Sequence, residues 1–580
     1  LSHIYEAEGG FFMTESEKLD TLLQMALTMS EQERERGTDL NAGYDSRERT
    51  WELIVKYSGD VGELENMGIM VEKLLFGYAI VTIRQELIPV LASLDSVEYI
   101  EKPKLLFPQI QEGIRASCIW PVQRQTPFLN GEGIMVGIID SGIAYENAAF
   151  LNRDGSTRIE AIYDERLGKE FTRQQIDEAL RNGESLGTVD LTGHGTAVSA
   201  IAAGSEGIYQ GVAYRSTLVV VRLDTSDRSG YPMTTSLLRA FDYLLKKARQ
   251  MGMPMAVNLS FGNTYGAHDG SSLVERFIGS AAEYGRNVIC VGSGNEAAAA
   301  GHAAGQIQRN EEKAEAAFFV GGYERALSVQ LWKNYEDTFG IRLVSPGGRD
   351  LYLQEIFTRE RSLMVKLDKT DIAVFGAGPK PYSGKQEIYF QFSAKDGGYI
   401  EEGIWLIELL PERIVTGRYD LYLPPANVRS RDTRFLIPSL DMTFTIPSTA
   451  SRVITVGAYN TRYNAYADFS GRGYVAVNEG SGPNGVFRVK PDLTAPGVDI
   501  ITTNGVETVS VSGTSFATPF VTGSAALLMQ WGITLGNDPY LYGEKLKAYL
   551  IKGARPLPGL TVPSALTGWG KLCVTDAIPL

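Results

Sequence analysis

The sequence predicts an α/β protein built on a doubly wound parallel sheet, with a small α+β region ahead of it and a β-sandwich inserted into it. Three observations lead there. Apolar runs at 133–139, 218–223, 255–259 and 287–291 are bounded by turn residues, as strands buried on both faces are. Helical patterns at 197–202, 234–251 and 273–284 alternate with those runs. Between Asn295 and Val453 the alternation stops, and short β-like runs separated by Gly, Pro and Asp turns replace it.

A chain of 580 residues suggests about three domains of roughly 150 residues each or more. Its apolar content of 44% supports a large core, and the net charge of −14 argues against nucleic acid as the main partner. The three cysteines, Cys118, Cys290 and Cys573, are an odd count without metal-ligand spacing, so neither a disulfide framework nor a zinc site is expected. Cys290, inside an apolar run, reads as a small buried residue. Residues 1–12, ahead of Met13, read as an appended stretch. No signal peptide is seen and no apolar run is long enough to cross a bilayer, so a cytoplasmic location without membrane contact is expected.

Residues 1–115 form the first region. A helix is predicted over 16–35, from the spacing of Leu19, Leu22, Leu23, Ala26 and Leu27. Strands at 51–57, 68–76, 77–84 and 96–100, with a helix at 86–94, suit a split βαβ unit. Pro103 and Pro108, with residues 109–115, mark a linker.

The α/β domain is expected in two pieces, 116–304 and 443–580, around the sandwich at 305–442. Its first apolar run ends in Asp140-Ser141-Gly142, where parallel sheets carry their sites. Thr192-Gly193-His194-Gly195-Thr196 opens a small-residue helix. Of the four histidines, His3 lies in the appended stretch and His268 in a glycine-rich, exposed loop; His194 is favoured as a base. Asn258-Leu259-Ser260-Phe261-Gly262 ends one strand. Gly292-Ser293-Gly294-Asn295 ends the next and offers an amide that can donate to an oxyanion. The sandwich carries no histidine after His302.

Ser512-Gly513-Thr514-Ser515-Phe516-Ala517-Thr518-Pro519 leads into an apolar helix through Phe520, Val521 and Ala525 to Met529. Ser515 stands at the positive end of that helix. Pro519 is expected in the first turn, where its missing N–H has no helical partner. Each motif alone fits a turn or a cap, but Asp140, His194 and Ser515 follow the chain order of the subtilisin-type triad.

These segments resemble the subtilisin-like serine proteases, or subtilases. The resemblance rests on residues 136–142, 193–196, 294–295 and 513–519, with Pro491-Asp492-Leu493-Thr494-Ala495-Pro496-Gly497 and residues 453–458 as further family segments. It covers roughly 115–300 and 445–575. It implies a subtilisin-like fold and a serine endopeptidase acting on protein or peptide substrates. Ser515 would be the nucleophile, His194 the base, Asp140 its partner and Asn295 the oxyanion donor. Ser260, Phe261 and Gly262 would pair with an extended substrate, with Ser229, Gly230 and Tyr231 on its other side. Gly292, Ser293 and Gly294 would line the primary pocket. The N-terminal region resembles a subtilase propeptide, cut by the enzyme and kept as a bound inhibitor. A propeptide with an inserted sandwich, read as a jelly roll, is similar to the germination-specific Csp subtilases of clostridial spores, which implies a spore-associated location and activation of a zymogen. The competing reading is a catalytically silent sensor or scaffold on the same fold; a third makes the sandwich a carbohydrate- or protein-binding module. No cofactor is expected, and no calcium ligands are assignable.

Overall fold

Met135–Asp140 is buried along its whole length, as its unbroken apolar run requires, and it lies near the middle of a nine-stranded sheet. In the computed structural model this strand runs parallel to Met255–Leu259 on one side and to Thr217–Arg222 on the other. The sheet continues in parallel through Asn287–Gly292 and Ile454–Asn460 in one direction and Ile159–Asp164 in the other. Because the first strand is central, later strands leave it on both sides, and the loops after their C-terminal ends converge on one crevice. Residues 18–34, 43–59, 62, 69–103, 109–205, 207, 209–225, 230–353, 361–376, 378–477 and 487–579 are described.

Each face of this sheet has its own core. One holds the helices His194–Ala203 and Thr514–Met529; the other holds Thr234–Met251 and Leu273–Glu283. Thr514–Met529 is buried nearly all round, so it is a core helix rather than an amphipathic surface one.

Three expectations are corrected in this unit. Residues 109–115 are not a linker: Gln109–Ala116 is a helix whose Ile114 joins the core. Cys118 and Cys573 form a disulfide across 455 residues of chain, for which neither count nor spacing gave a sign. Val574 N–H donates to Ser117 O at 2.9 Å and Thr575 Oγ1 to Cys118 O at 2.8 Å, so the two chain segments were already held together. Finally, Pro519 lies inside the helix rather than in its first turn. Its missing N–H leaves the Ser515 carbonyl without a helical partner.

The N-terminal unit is separate, with its own core. Thr50–Tyr57 lies between Tyr78–Arg84 and Val97–Glu101 in an antiparallel sheet that also holds Met70–Leu74 and Tyr44–Asp45. Burial alternates along Thr50–Tyr57, and Trp51, Leu53 and Val55 pack against Leu23, Ala26, Ile88 and Leu91. The single helix predicted over 16–35 is two, Thr21–Thr28 and Glu31–Arg34, because Met29 is extended.

The insertion is two antiparallel sheets, of six and five strands, that share one core around Phe318, Leu331, Phe390 and Trp405. Its strands run from His302–Gln306 to Arg434–Phe435, so the first crosses the expected boundary at 305. His268 is not exposed. Its ring is buried and stacks on Tyr422 at 3.9 Å, and His302 stacks on Tyr422 at 4.4 Å. Burial pushes the His268 imidazole down to about 4, so it is neutral in this joint between the insertion and the sheet loop.

Replacing both Cys118 and Cys573 with serine should lower unfolding stability by about 2–5 kcal/mol, because the bond restricts a very long loop of the unfolded chain. The denaturant midpoint measures this; an unchanged midpoint under oxidising conditions would show that the bond adds nothing.

Candidate active site

Asp140 ends the central strand fully buried, where a carboxylate must be hydrogen-bonded to be tolerated. Its Oδ1 is 2.7 Å from His194 Nδ1 and accepts the Ser141 N–H at 2.8 Å. The helix bearing His194 can come this close because residue 195 is glycine: a Cβ there would lie 2.3 Å from Gly142 O. Asp190 anchors the start of that helix. It accepts the N–H groups of Gly193 at 3.0 Å and Thr196 at 2.8 Å, and the hydroxyls of Ser141 and Thr196 at 2.8 and 2.7 Å. These bonds satisfy helix-start donors that would otherwise be orphaned. His194 keeps 27% of its side chain exposed. Burial opposes its charged form, but Asp140, with Asp190 beyond it, outweighs burial and holds its pKa above the ordinary histidine value.

Ser515 occupies the second position of the helix Thr514–Met529. Its carbonyl, left open by Pro519, accepts the Ser260 hydroxyl at 3.1 Å, and its own hydroxyl donates to Ser260 O at 3.3 Å. Asn258 supports the same junction: its Nδ2 donates to Ser260 Oγ at 2.9 Å, and its Oδ1 accepts from Thr522 Oγ1 at 2.9 Å. Asn295 Oδ1 accepts the Thr514 N–H at 3.0 Å. Gly513, at φ +149°, supplies the approach, since a Cβ there would crowd Asn295 Nδ2 at 3.3 Å.

The structure thus brings Asp140 to His194, and Ser515 to Ser260, with Asn295 on Thr514 beside Ser515. Phe261 and Phe516 place their rings 5.8 and 5.3 Å from the imidazole. No hydrogen bond joins His194 to Ser515. Gly292 and Gly294 are half-buried, whereas the Ser293 side chain is fully buried against Ser470 and cannot face a substrate. Gly262, Gly230 and Tyr231 are exposed; Ser229 lies outside the described residues. Among the described residues no group of three or more His, Cys, Asp or Glu side chains could hold a metal ion.

The description "Subtilase family" matches residues 131–373 and 437–570, more than half of the chain. The chain belongs to the subtilase family. Residues 17–104 match "Csp protease B prodomain". The structure of the Clostridium perfringens CspB protease superposes on this subtilase with a TM-score of 0.74 and 34% identity, over 80% of this chain and 96% of that one. Among curated relatives, the minor extracellular protease Vpr of Bacillus subtilis is 25% identical over 77% of this chain and 52% of its own length. The serine protease AprX of the same organism is 32% identical over 19% of this chain and 26% of its own. This subtilase therefore spans about half the length of Vpr and a quarter of AprX.

Sequence reasoning missed Asp190 and Thr514 as positioning residues in this subtilase. Asp190 did leave a signal, an acidic residue just ahead of a small-residue helix. Thr514 left none, because its role depends on where Asn295 arrives from a distant loop.

Followed by NMR, His194 should titrate above the ordinary value of about 6.5, and Asp140→Asn should bring it down. A folded pKa above the unfolded one means that the pair's stabilisation is complete below about pH 6.5 and lost as pH rises through the folded pKa. A His194 that titrates at or below 6.5 would refute the coupling.

Proposed function

We propose that this chain is a serine endopeptidase in which Ser515 attacks, His194 is the general base and Asp140 holds the imidazole in its tautomer. The observation that carries this reading is the 2.7 Å contact between buried Asp140 and His194 at the sheet end that also bears Ser515. The Ser515 hydroxyl leaves Ser260 O, gives its proton to His194 Nε2 and bonds to a peptide carbonyl carbon. Asn295 Nδ2 and the Ser515 N–H hold the oxyanion. His194 then passes the proton to the departing amine, and water, activated by the same imidazole, releases the acyl group.

One observation favours the catalytically silent alternative: the Ser515 hydroxyl is turned to Ser260 O and not to His194. Such bonds are often long or poorly aligned before substrate arrives. A fluorophosphonate should label Ser515 in the full chain or after trypsin releases the N-terminal unit. No label beside a reactive control subtilase would favour the silent scaffold. Because neutral His194 is the active form, kcat/KM should fall as pH drops through its raised pKa. Asn295→Ala should fold and lose about 2.7–4 kcal/mol of transition-state stabilisation, mostly in kcat.

We also propose self-processing. The prodomain match ends at residue 104, residues 104–108 lie outside the described residues, and the helix from Gln109 carries buried Ile114. The cut is proposed between Lys104 and Cys118, next to the end of that match. The released piece is proposed to stay bound as an inhibitor. Wild type should give two co-eluting fragments and Ser515→Ala one uncut chain; a Ser515→Ala chain cut at the same bond would remove the case. We further propose, on the resemblance to the germination-specific Csp subtilases, a spore-associated role, the activation of a zymogen at germination. Spores carrying Ser515→Ala should leave that precursor uncut.

A further inference from the structure

The candidate active site lies at the C-terminal ends of the parallel strands; a second cavity, of about 430 Å³, lies at their N-terminal ends. Arg158 stands just before Ile159–Asp164, Ser216 just before Thr217–Arg222 and Asn130 shortly before Met135–Asp140, and all three line it. Each of these strands has six residues, so the cavity is roughly 17 Å from the strand ends where Asp140 sits. Its lining is entirely polar or charged, and Arg158, Arg173 and Arg215 all belong to it. The whole chain carries a net charge of −14, so three guanidiniums on one small cavity run against the overall balance.

Arg158 forms the floor. It is only 5% exposed, and its Nη1 donates to Ala203 O at 2.6 Å and Ser205 Oγ at 3.1 Å, its Nη2 to Ser216 O at 2.8 Å. A guanidinium has five N–H donors. Among the described residues nothing takes the Nε–H or the second Nη2–H, and no carboxylate pairs with the charge. Burial, with the neighbouring charges of Arg215 and Arg173, pushes this group down to about 9. Arg173 and Arg215 are exposed and form the rim. Arg173 opens the helix Arg173–Asn182, where the helix dipole disfavours a cation. Its Nε lies 3.0 Å from Glu160 Oε2, and Glu132 is the carboxylate among the lining residues.

We propose that this cavity binds a small hydroxylated molecule that carries a phosphate group, such as a sugar phosphate. Carboxylates and phosphates both match a guanidinium's paired N–H groups, and three arginines together favour the more highly charged phosphate. A buried cation with two donors to spare is costly, and an anion at the floor relieves that cost. The cavity is larger than a phosphate ion needs and has the volume of a small-molecule site. With Asn130, Asn152 and Glu132 on its wall and no apolar side chain, it suits a ligand body of hydroxyl groups.

The test is binding to the full chain, read as the rise in Tm with ligand concentration at fixed ionic strength. The probes are glucose phosphate, inorganic phosphate, glucose and sodium chloride. Glucose phosphate should raise Tm saturably and bind at least about tenfold tighter than inorganic phosphate, while glucose and chloride leave Tm unchanged. Arg173→Gln and Arg215→Gln, at exposed positions, should each weaken glucose phosphate binding about tenfold or more, the loss of one hydrogen bond to a charged group. A Tm that glucose phosphate moves no further than chloride does, or equal affinity in wild type and the double variant, overturns the proposal. If glucose phosphate binds no tighter than inorganic phosphate, the cavity is an ion site only and the proposal falls. Circular dichroism reports whether a variant has folded; if neither has, the wild-type ratio of the two affinities decides alone.

Discussion

A carboxylate with no exposure to water is the constraint around which this site is built. Asp140 stays tolerable at the end of the central strand because His194 and the Ser141 N–H bond to it, and removing one partner of such a buried pair leaves an uncompensated charge. The surrounding features follow from meeting that need. A glycine at 195 lets the histidine helix reach the strand, and Asp190 ties down the start of the helix so that the imidazole arrives in one orientation. Two carboxylates near one imidazole, one in contact and one beyond, favour its charged form, which is the form generated when it accepts a proton.

The serine side depends on a different economy of hydrogen bonds. A proline inside the helix removes one donor, and the carbonyl thereby freed is the serine's own. That carbonyl takes the Ser260 hydroxyl, Asn258 steadies Ser260, and Thr522 steadies Asn258 from two turns further along the same helix. A helix irregularity is thus converted into a lateral tie between the Ser515 backbone and the neighbouring strand end.

Much of this was legible in the sequence. Parallel strands declared themselves by unbroken apolar runs, because a strand covered on both faces has no polar side to show. Asp140, His194, Ser515 and Asn295 were legible because each sits in a short motif at a strand end or a helix start. What was not legible depended on contacts between segments far apart in the chain. Cys118 and Cys573 are 455 residues apart, and no local pattern marks two such cysteines as partners. Residues 109–115 read as a linker from the prolines ahead of them, Pro103 and Pro108, yet the helix there is held by packing of Ile114 into the core, a tertiary effect that overrides local propensity. His268 looked exposed because it lies among glycines; the stack on Tyr422, which buries it, comes from the inserted sandwich.

The place of the insertion has a consequence for assembly. Cys290 pairs with Ile454, and between those neighbours the chain makes the whole sandwich. Closing so long a loop before any contact rewards it is slow, since contacts distant in sequence slow folding. The sandwich has a core of its own, so it can condense first and draw together its two ends at His302 and Phe435, turning a long closure into a short one. The strand Ile454–Asn460, and with it the Leu493–Pro496 strand that it carries, would then enter the sheet late. On that order of events the helix Thr514–Met529, which comes later still in the chain, packs onto the sheet only after those strands are in place.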